Sequence, residues 1–231
     1  VDFTPFDLRR YPTLPAVDGY SAWAPTYEGT VVDVMDLRLL ARLTVDWRRA
    51  ARVLDLACGT GRIGAWLAHQ GVAHVDGVDL TPAMLERARA KGVYERLLEA
   101  SILDTGLDAG AYDLITQSLA CEHLPDLAPL YREVARLLAP GGTFVIVGYH
   151  PFFLMGGVPT HFDRAPGEPV AIESWVHLTS DHVRAARAAG LALDDMHEGL
   201  VDDEVLAVKG AKWERYRSRP LTFVMVWRAP T

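Results

Sequence analysis

Apolar and polar positions change their rhythm three times along the chain. Residues 1 to about 30 show no period: prolines alternate with aromatics (Tyr11, Tyr20, Trp23, Tyr27), which predicts an irregular arm tied down by packing. Val31, Val34, Met35, Leu39 and Leu43 then recur at helical spacing, predicting a helix over 31–43. From Arg52 onward, short apolar runs alternate with amphipathic stretches. The runs 53–56, 73–79, 96–102, 112–117, 143–148 and 221–227 read as strands. The stretches 59–69, 81–91, 127–138 and 179–190 read as helices. Thr81-Pro82 is a start signal in which the hydroxyl would satisfy an orphan amide, and Thr179 or Ser180 would cap the last helix. Gly71, Gly92 and Gly190 are stops. Strand and helix alternating at this spacing predict an α/β fold with a parallel sheet covered on both faces. Residues 149–177 leave the rhythm and read as an insertion after the fifth strand, the usual place of a lid or substrate wall.

Composition narrows the choices. The chain has 231 residues, 50% hydrophobic and 23% charged, with no linker or repeat to divide it, so one domain over 1–231 is expected. Its net charge of −7 and its short, interrupted basic groups disfavour a nucleic-acid partner. Two cysteines, Cys58 and Cys121, cannot build a disulfide framework or a four-ligand zinc site, and the eight histidines show no metal spacing. The most apolar stretch, 143–158, is too short and interrupted to span a bilayer, and a cytoplasmic location is the default expectation.

The chemistry is concentrated in one loop. Gly59-Thr60-Gly61-Arg62-Ile63-Gly64 matches GxGxxG, follows a strand, opens a helix, and has Asp79 at the end of the next strand. In that context glycines let the backbone approach a nucleotide-type ligand, and the acid accepts hydrogen bonds from ribose hydroxyls. Asp55 discriminates between cofactors. It places a carboxylate near where a dinucleotide's phosphates would lie, and like charges at roughly 5 Å cost on the order of a few kcal/mol at an effective dielectric of about 20. S-adenosylmethionine (SAM) has no phosphate and carries an ammonium and a sulfonium, so the same carboxylate attracts it.

The run Val53-Leu54-Asp55-Leu56-Ala57-Cys58-Gly59-Thr60-Gly61 closely resembles the first motif of the class I SAM-dependent methyltransferases. Tyr112-Asp113-Leu114-Ile115 and Leu137-Leu138-Ala139-Pro140-Gly141-Gly142 resemble that family's later signatures in the same order. Gly19-Tyr20-Ser21-Ala22-Trp23-Ala24-Pro25-Thr26-Tyr27 resembles the segment that closes over SAM in the small-molecule branch related to the quinone-biosynthesis methyltransferases. The resemblance implies a Rossmann-like, doubly wound, seven-stranded sheet, with an arm over 1–45 closing the cofactor site. It further implies a SAM site made by Tyr20, Tyr27, Asp55, Ala57, Gly59, Gly61, Asp79, Leu80, Met84, Ser101, Ile102 and Gln117. Ser101 stands where this branch commonly has an Asp for the adenine amino group, leaving adenine without a charge-assisted bond there. Asp104 could replace that acid or simply make a turn.

The implied reaction moves a methyl group to oxygen, nitrogen or carbon of a small hydrophobic or aromatic acceptor, by a monomer or homodimer. A SAM-binding protein with non-methylating chemistry and a nicotinamide-dependent oxidoreductase are the alternatives. His150, directly after the fifth strand, is the favoured base, with a histidine bonded inside the lid as the equal alternative. His123 matches a family histidine for which a structural role weighs more than catalysis. Phe152, Phe153, Met155, His161 and Trp175 would line the acceptor pocket, or form the lid's own small core.

Overall fold

The computed structural model describes residues 1–231. The first segment is more ordered than its sequence predicts. It contains β1 (Thr13–Leu14), α1 (Ala16–Trp23), α2 (Tyr27–Thr30) and α3 (Leu37–Leu40). The single helix predicted over 31–43 is broken at Asp36, whose backbone leaves helical geometry with φ −133° and ψ −57°. Asp36 Oδ1 accepts the Leu37 amide at 2.8 Å, and its carboxylate also receives Arg62 and the Ser118 hydroxyl. A buried carboxylate satisfied this way outweighs the weak preference for continuing a helix.

The alternating region follows as β2 (Val53–Leu56), α4 (Arg62–His69), β3 (Val75–Asp79), α5 (Pro82–Lys91), β4 (Arg96–Glu99), β5 (Tyr112–Ser118), α6 (Ala128–Leu137) and β6 (Leu138–Tyr149). β6 starts earlier than predicted: Leu138 pairs with Tyr112, residues 139–142 bulge, and pairing resumes at Leu114 and Thr143. The chain closes with α7 (Pro151–Met155), β7 (His161–Asp163), β8 (Pro169–Ile172), α8 (Thr179–Ala188), β9 (Ala192–Leu200), α9 (Asp203–Lys209) and β10 (Pro220–Arg228).

Seven strands form one sheet in the order β4-β3-β2-β5-β6-β10-β9. β10 runs antiparallel to both its neighbours, and the other strands run parallel to one another. Consecutive strand residues point to opposite faces. Ile115, Phe144 and Ile146 therefore pack with Tyr131 and Val134 of α6 and Ala186 of α8, while Leu114, Val145 and Val147 pack with Leu39, Ile63 and Leu67 on the other side. β9 was missed in the sequence because Ala192–Leu200 is rich in charged residues and lacks alternation, a composition suited to a solvent-facing edge.

Two predicted caps are replaced. Asp79 Oδ1, not the Thr81 hydroxyl, accepts at the start of α5, taking the Thr81 amide at 2.8 Å. The α8 N-cap is Leu178, whose amide donates to Asp181. The insertion builds a second sheet of order β1-β8-β7, in which β1 pairs parallel to β8 and β7 antiparallel to it. Trp23 of α1 stacks on Phe162 of β7 with centroids 5.2 Å apart, so arm and insertion are joined. No helix is long and apolar enough to cross a membrane.

Candidate active site

The turn after β2 lies at the point where strand order reverses, between β2 and β5, where parallel sheets open a crevice beyond their carboxyl ends. Gly59 has φ +54° and open space where a side chain would project, and Gly61, the residue before α4, has φ +85°. The third glycine has another purpose. A Cβ at Gly64 would lie 2.3 Å from the Tyr94 ring and hydroxyl, so glycine is what lets Tyr94 reach inward. Its hydroxyl donates to Asp55 Oδ2 at 2.7 Å, and Thr116 donates to Oδ1 at 3.0 Å. Asp55 is therefore 1% exposed, beneath the loop rather than on a cavity wall, and burial pushes its carboxyl up to about 7. The sequence expectation of a direct ligand carboxylate at Asp55 is corrected: it braces the strand ends.

Asp79 keeps the predicted position. Its Oδ2 accepts the Gly59 amide at 2.8 Å, Oδ1 accepts the Thr81 amide, and the residue lines a cavity of about 320 Å³. Burial raises its carboxyl above the usual range while these amides pull it back. Ala57, Gly59, Leu80, Met84, Ser101 and Ile102 line the same cavity, and α1 and α2 close it with Tyr20 and Tyr27. Gly61 and Gln117 do not. Gly61 turns the backbone, and Gln117 is buried at the end of β5, just before the Ser118–Ala120 loop that does face the cavity; with its amide oriented so that the oxygen meets the Ala120 amide, it would brace that loop. Asp104 does not reach the cavity either and closes a turn on Ser101, its amide donating to the Ser101 carbonyl at 3.2 Å.

A second cavity of about 630 Å³ adjoins the first. Both are walled by Tyr20, Tyr27 and Leu119. Phe153 and His161 line the larger one as the sequence suggested. Phe152, 50% exposed, and Met155, 40% exposed, face away, because the short helix α7 buries Pro151, Phe153 and Leu154 and presents only the last two to the cavity. Trp175 lies outside the wall, its amide donating to the Glu122 carbonyl at 2.7 Å. Tyr149, at the start of the predicted insertion, also lines it, and Glu122, Met35 and Trp213, not assigned to a site from the sequence, complete the wall from distant parts of the chain.

Neither histidine assigned to catalysis is free. His150 Nδ1 accepts the Phe152 amide at 3.1 Å as the N-cap of α7, Nε2 pairs with Glu198 of β9 at 2.9 Å, and the ring lies outside both cavities. The base expected at His150 is thus a helix cap. His123 borders the smaller cavity with both nitrogens engaged: Nδ1 lies 2.7 Å from the Glu173 carbonyl and Nε2 lies 3.0 Å from the Tyr20 hydroxyl.

The donor set fits a nucleoside rather than a pyrophosphate. A carboxylate stands at the β3 end, an apolar slot lies between Leu80, Met84 and Ile102, and no Lys or Arg lines the smaller cavity. This arrangement defines a Rossmann-like, SAM-type nucleoside site with a second, larger cavity beside it. Comparison with known proteins agrees. A family profile described as "Methyltransferase domain" matches residues 54–146. A ubiquinone biosynthesis O-methyltransferase of Xylella fastidiosa is 31% identical over 189 residues, 73% of this chain and 67% of the relative. Demethylmenaquinone methyltransferase of Thermus thermophilus is 33% identical over 147 residues, 57% of this chain and 64% of the relative's length. The crystal structure of a SAM-dependent methyltransferase from Mesorhizobium loti is 25% identical with a TM-score of 0.60, covering 92% of this chain and all of that one. The chain belongs to the class I SAM-dependent methyltransferases and resembles their quinone-biosynthesis members.

Proposed function

We propose that the smaller cavity holds SAM, with Asp79 on the ribose and Leu80, Met84, Ser101 and Ile102 around the adenine, and that the larger cavity holds a small hydrophobic or aromatic acceptor. The observation that carries this reading is the shared wall: Tyr20, Tyr27 and Leu119 border both chambers, so two ligands would meet there. Bound SAM supplies an already activated methyl carbon. What the chain contributes is position and exclusion of water: Glu28 of α2 receives the Thr60 hydroxyl and Lys91, clamping the arm onto the glycine loop. The aromatic wall of Tyr149, Phe153, Phe162 and Trp213 suits a flat apolar acceptor. The relatives' names, which point to ubiquinone and menaquinone precursors, agree with a ring-bearing one. Mass spectrometry of co-purifying ligands, followed by an acceptor screen with methyl-labelled SAM, tests the reading. A ring-bearing product carrying the label supports it. Label confined to polar aliphatic products, or no thermal shift with S-adenosylhomocysteine, would sink it.

A further inference from the structure

Glu122 is a buried carboxyl with nothing to do in the closed chain. It is 2% exposed and lines the larger cavity, yet Oε1 has no hydrogen-bond partner, and Oε2 has only the Cys121 thiol at 3.9 Å. The nearest basic nitrogen, His123 Nε2, is 3.8 Å from Oε1. It is already engaged: Nδ1 faces the Glu173 carbonyl and so carries a hydrogen, and Nε2 meets the Tyr20 hydroxyl at 3.0 Å. At 3.8 Å, His123 Nε2 stands beyond hydrogen-bond distance of Glu122. An acceptor stranded in an apolar wall is costly unless a ligand brings the missing donor.

Its placement adds to this. Glu122 precedes His123, which borders the smaller cavity, so the carboxyl stands close to where the chambers meet. Lys209 is the other acid-base group on the wall that burial shifts toward use, its ammonium lowered from the ordinary value. It is held over the Trp213 ring at 5.2 Å, away from the residues shared with the smaller cavity's wall, none of which it adjoins in sequence. The remaining groups are less suited. Burial raises the phenols of Tyr27 and Tyr149 well above their ordinary value, and His161 is partly exposed with Nδ1 on the Pro159 carbonyl at 2.8 Å. Burial also pushes the Glu122 carboxyl upward, which makes it a stronger base than an exposed glutamate.

Resting on the reading of the larger cavity as the acceptor site, we propose that Glu122 is a catalytic residue that takes the acceptor's proton, so that the acceptor presents an O–H or N–H at its reacting end. In the step, the acceptor's lone pair forms the new bond to the methyl carbon. The sulfur-to-carbon bond breaks with its electron pair going to sulfur, and the acceptor's proton passes to the Glu122 carboxylate. It leaves to water when the products depart.

A photoacid tests this without turnover. 2-Naphthol becomes strongly acidic on excitation and emits as naphtholate only if a base accepts its proton. The full chain saturated with S-adenosylhomocysteine would be titrated with 2-naphthol and with 2-methoxynaphthalene at mildly alkaline pH, as wild type and as Glu122→Gln. The wild type should bind the naphthol about tenfold more tightly than the ether, the order expected for a charge-assisted hydrogen bond, and shift the bound probe to naphtholate emission. Glu122→Gln should lose most of the preference and emit as neutral naphthol, with S-adenosylhomocysteine affinity unchanged. Identical emission in both proteins, or no binding of either probe, overturns the assignment. Failure to bind S-adenosylhomocysteine overturns the cofactor reading instead, so the two failures are distinguishable.

Discussion

The hydroxyl of Tyr20 donates to Nε2 of His123 at 3.0 Å across 103 residues, joining the arm to the loop after β5. Tyr20→Phe removes that bond and leaves the ring. One neutral hydrogen bond contributes about 1 kcal/mol, so S-adenosylhomocysteine binding by calorimetry should weaken about fivefold. His123→Ala should do the same, and the double variant little more, because both delete one interaction. Fully additive losses would show that the pair does not act as a unit.

Asp79→Asn replaces one of two amide-accepting oxygens with a donor facing the Gly59 or Thr81 amide. The glycine loop should loosen, and S-adenosylhomocysteine affinity should fall by at least about tenfold, given the cost of an unmatched buried polar contact. Wild-type affinity in this variant would remove Asp79 from the cofactor site.

His150→Ala deletes the α7 cap and the Glu198 pair. Loss of a cap costs about 1 kcal/mol, to be read in urea unfolding. Turnover with an acceptor from the labelled screen should stay near wild type. A hundredfold drop in kcat with normal stability would restore His150 as a base.

Two buried groups impose opposite pH dependences. His182 is held neutral, its pKa lowered to about 3 by burial, so the unfolded chain takes the proton first and stability is lost as pH falls from about 6.5 toward 3. Asp55, raised to about 7, takes its proton first in the folded state, so stability grows as pH falls from 7 toward 4. The two contributions largely cancel between pH 4 and 6.5. His182→Gln, which leaves Tyr131 an acceptor, removes one of them. Relative to wild type, the variant should gain on the order of 4 kcal/mol on going from neutral pH to about pH 3, at ~1.4 kcal/mol per pKa unit. Parallel urea-midpoint profiles for the two proteins would contradict the assignment.

Gly64→Ala would drive a methyl into the Tyr94 ring. Overpacking of this sort costs about 1–3 kcal/mol, and displacing Tyr94 would free Asp55, so the thermal midpoint should fall and S-adenosylhomocysteine affinity with it. Unchanged stability would mean that Tyr94 yields without cost.

What the sequence made legible follows from how local each determinant is. Gly59, Asp79, Leu80, Met84 and Ile102 reach the cavity because a strand end, a glycine turn and a helix start fix their positions within a few residues. Asp55 was placed on the correct strand and given the wrong surroundings, since its partners Tyr94 and Thr116 lie 39 and 61 residues away. His150 was misread for the same reason: Glu198 lies on β9, a strand whose polar edge composition hides it. Glu122 sat beside a recognised histidine, yet only the folded chamber shows its oxygen to be unpartnered. In the insertion, apolar content alone could not tell Phe153 from Phe152, because direction along a five-residue helix depends on what it packs against.

The small sheet has a mechanical consequence. Because β1 is hydrogen-bonded to β8, the arm that roofs one chamber and the segment that walls the other are a single body. A displacement wide enough to admit a ligand to either chamber strains the seal of both. On the occupancy proposed above, entry and exit of the two ligands would then be coupled events on one gate.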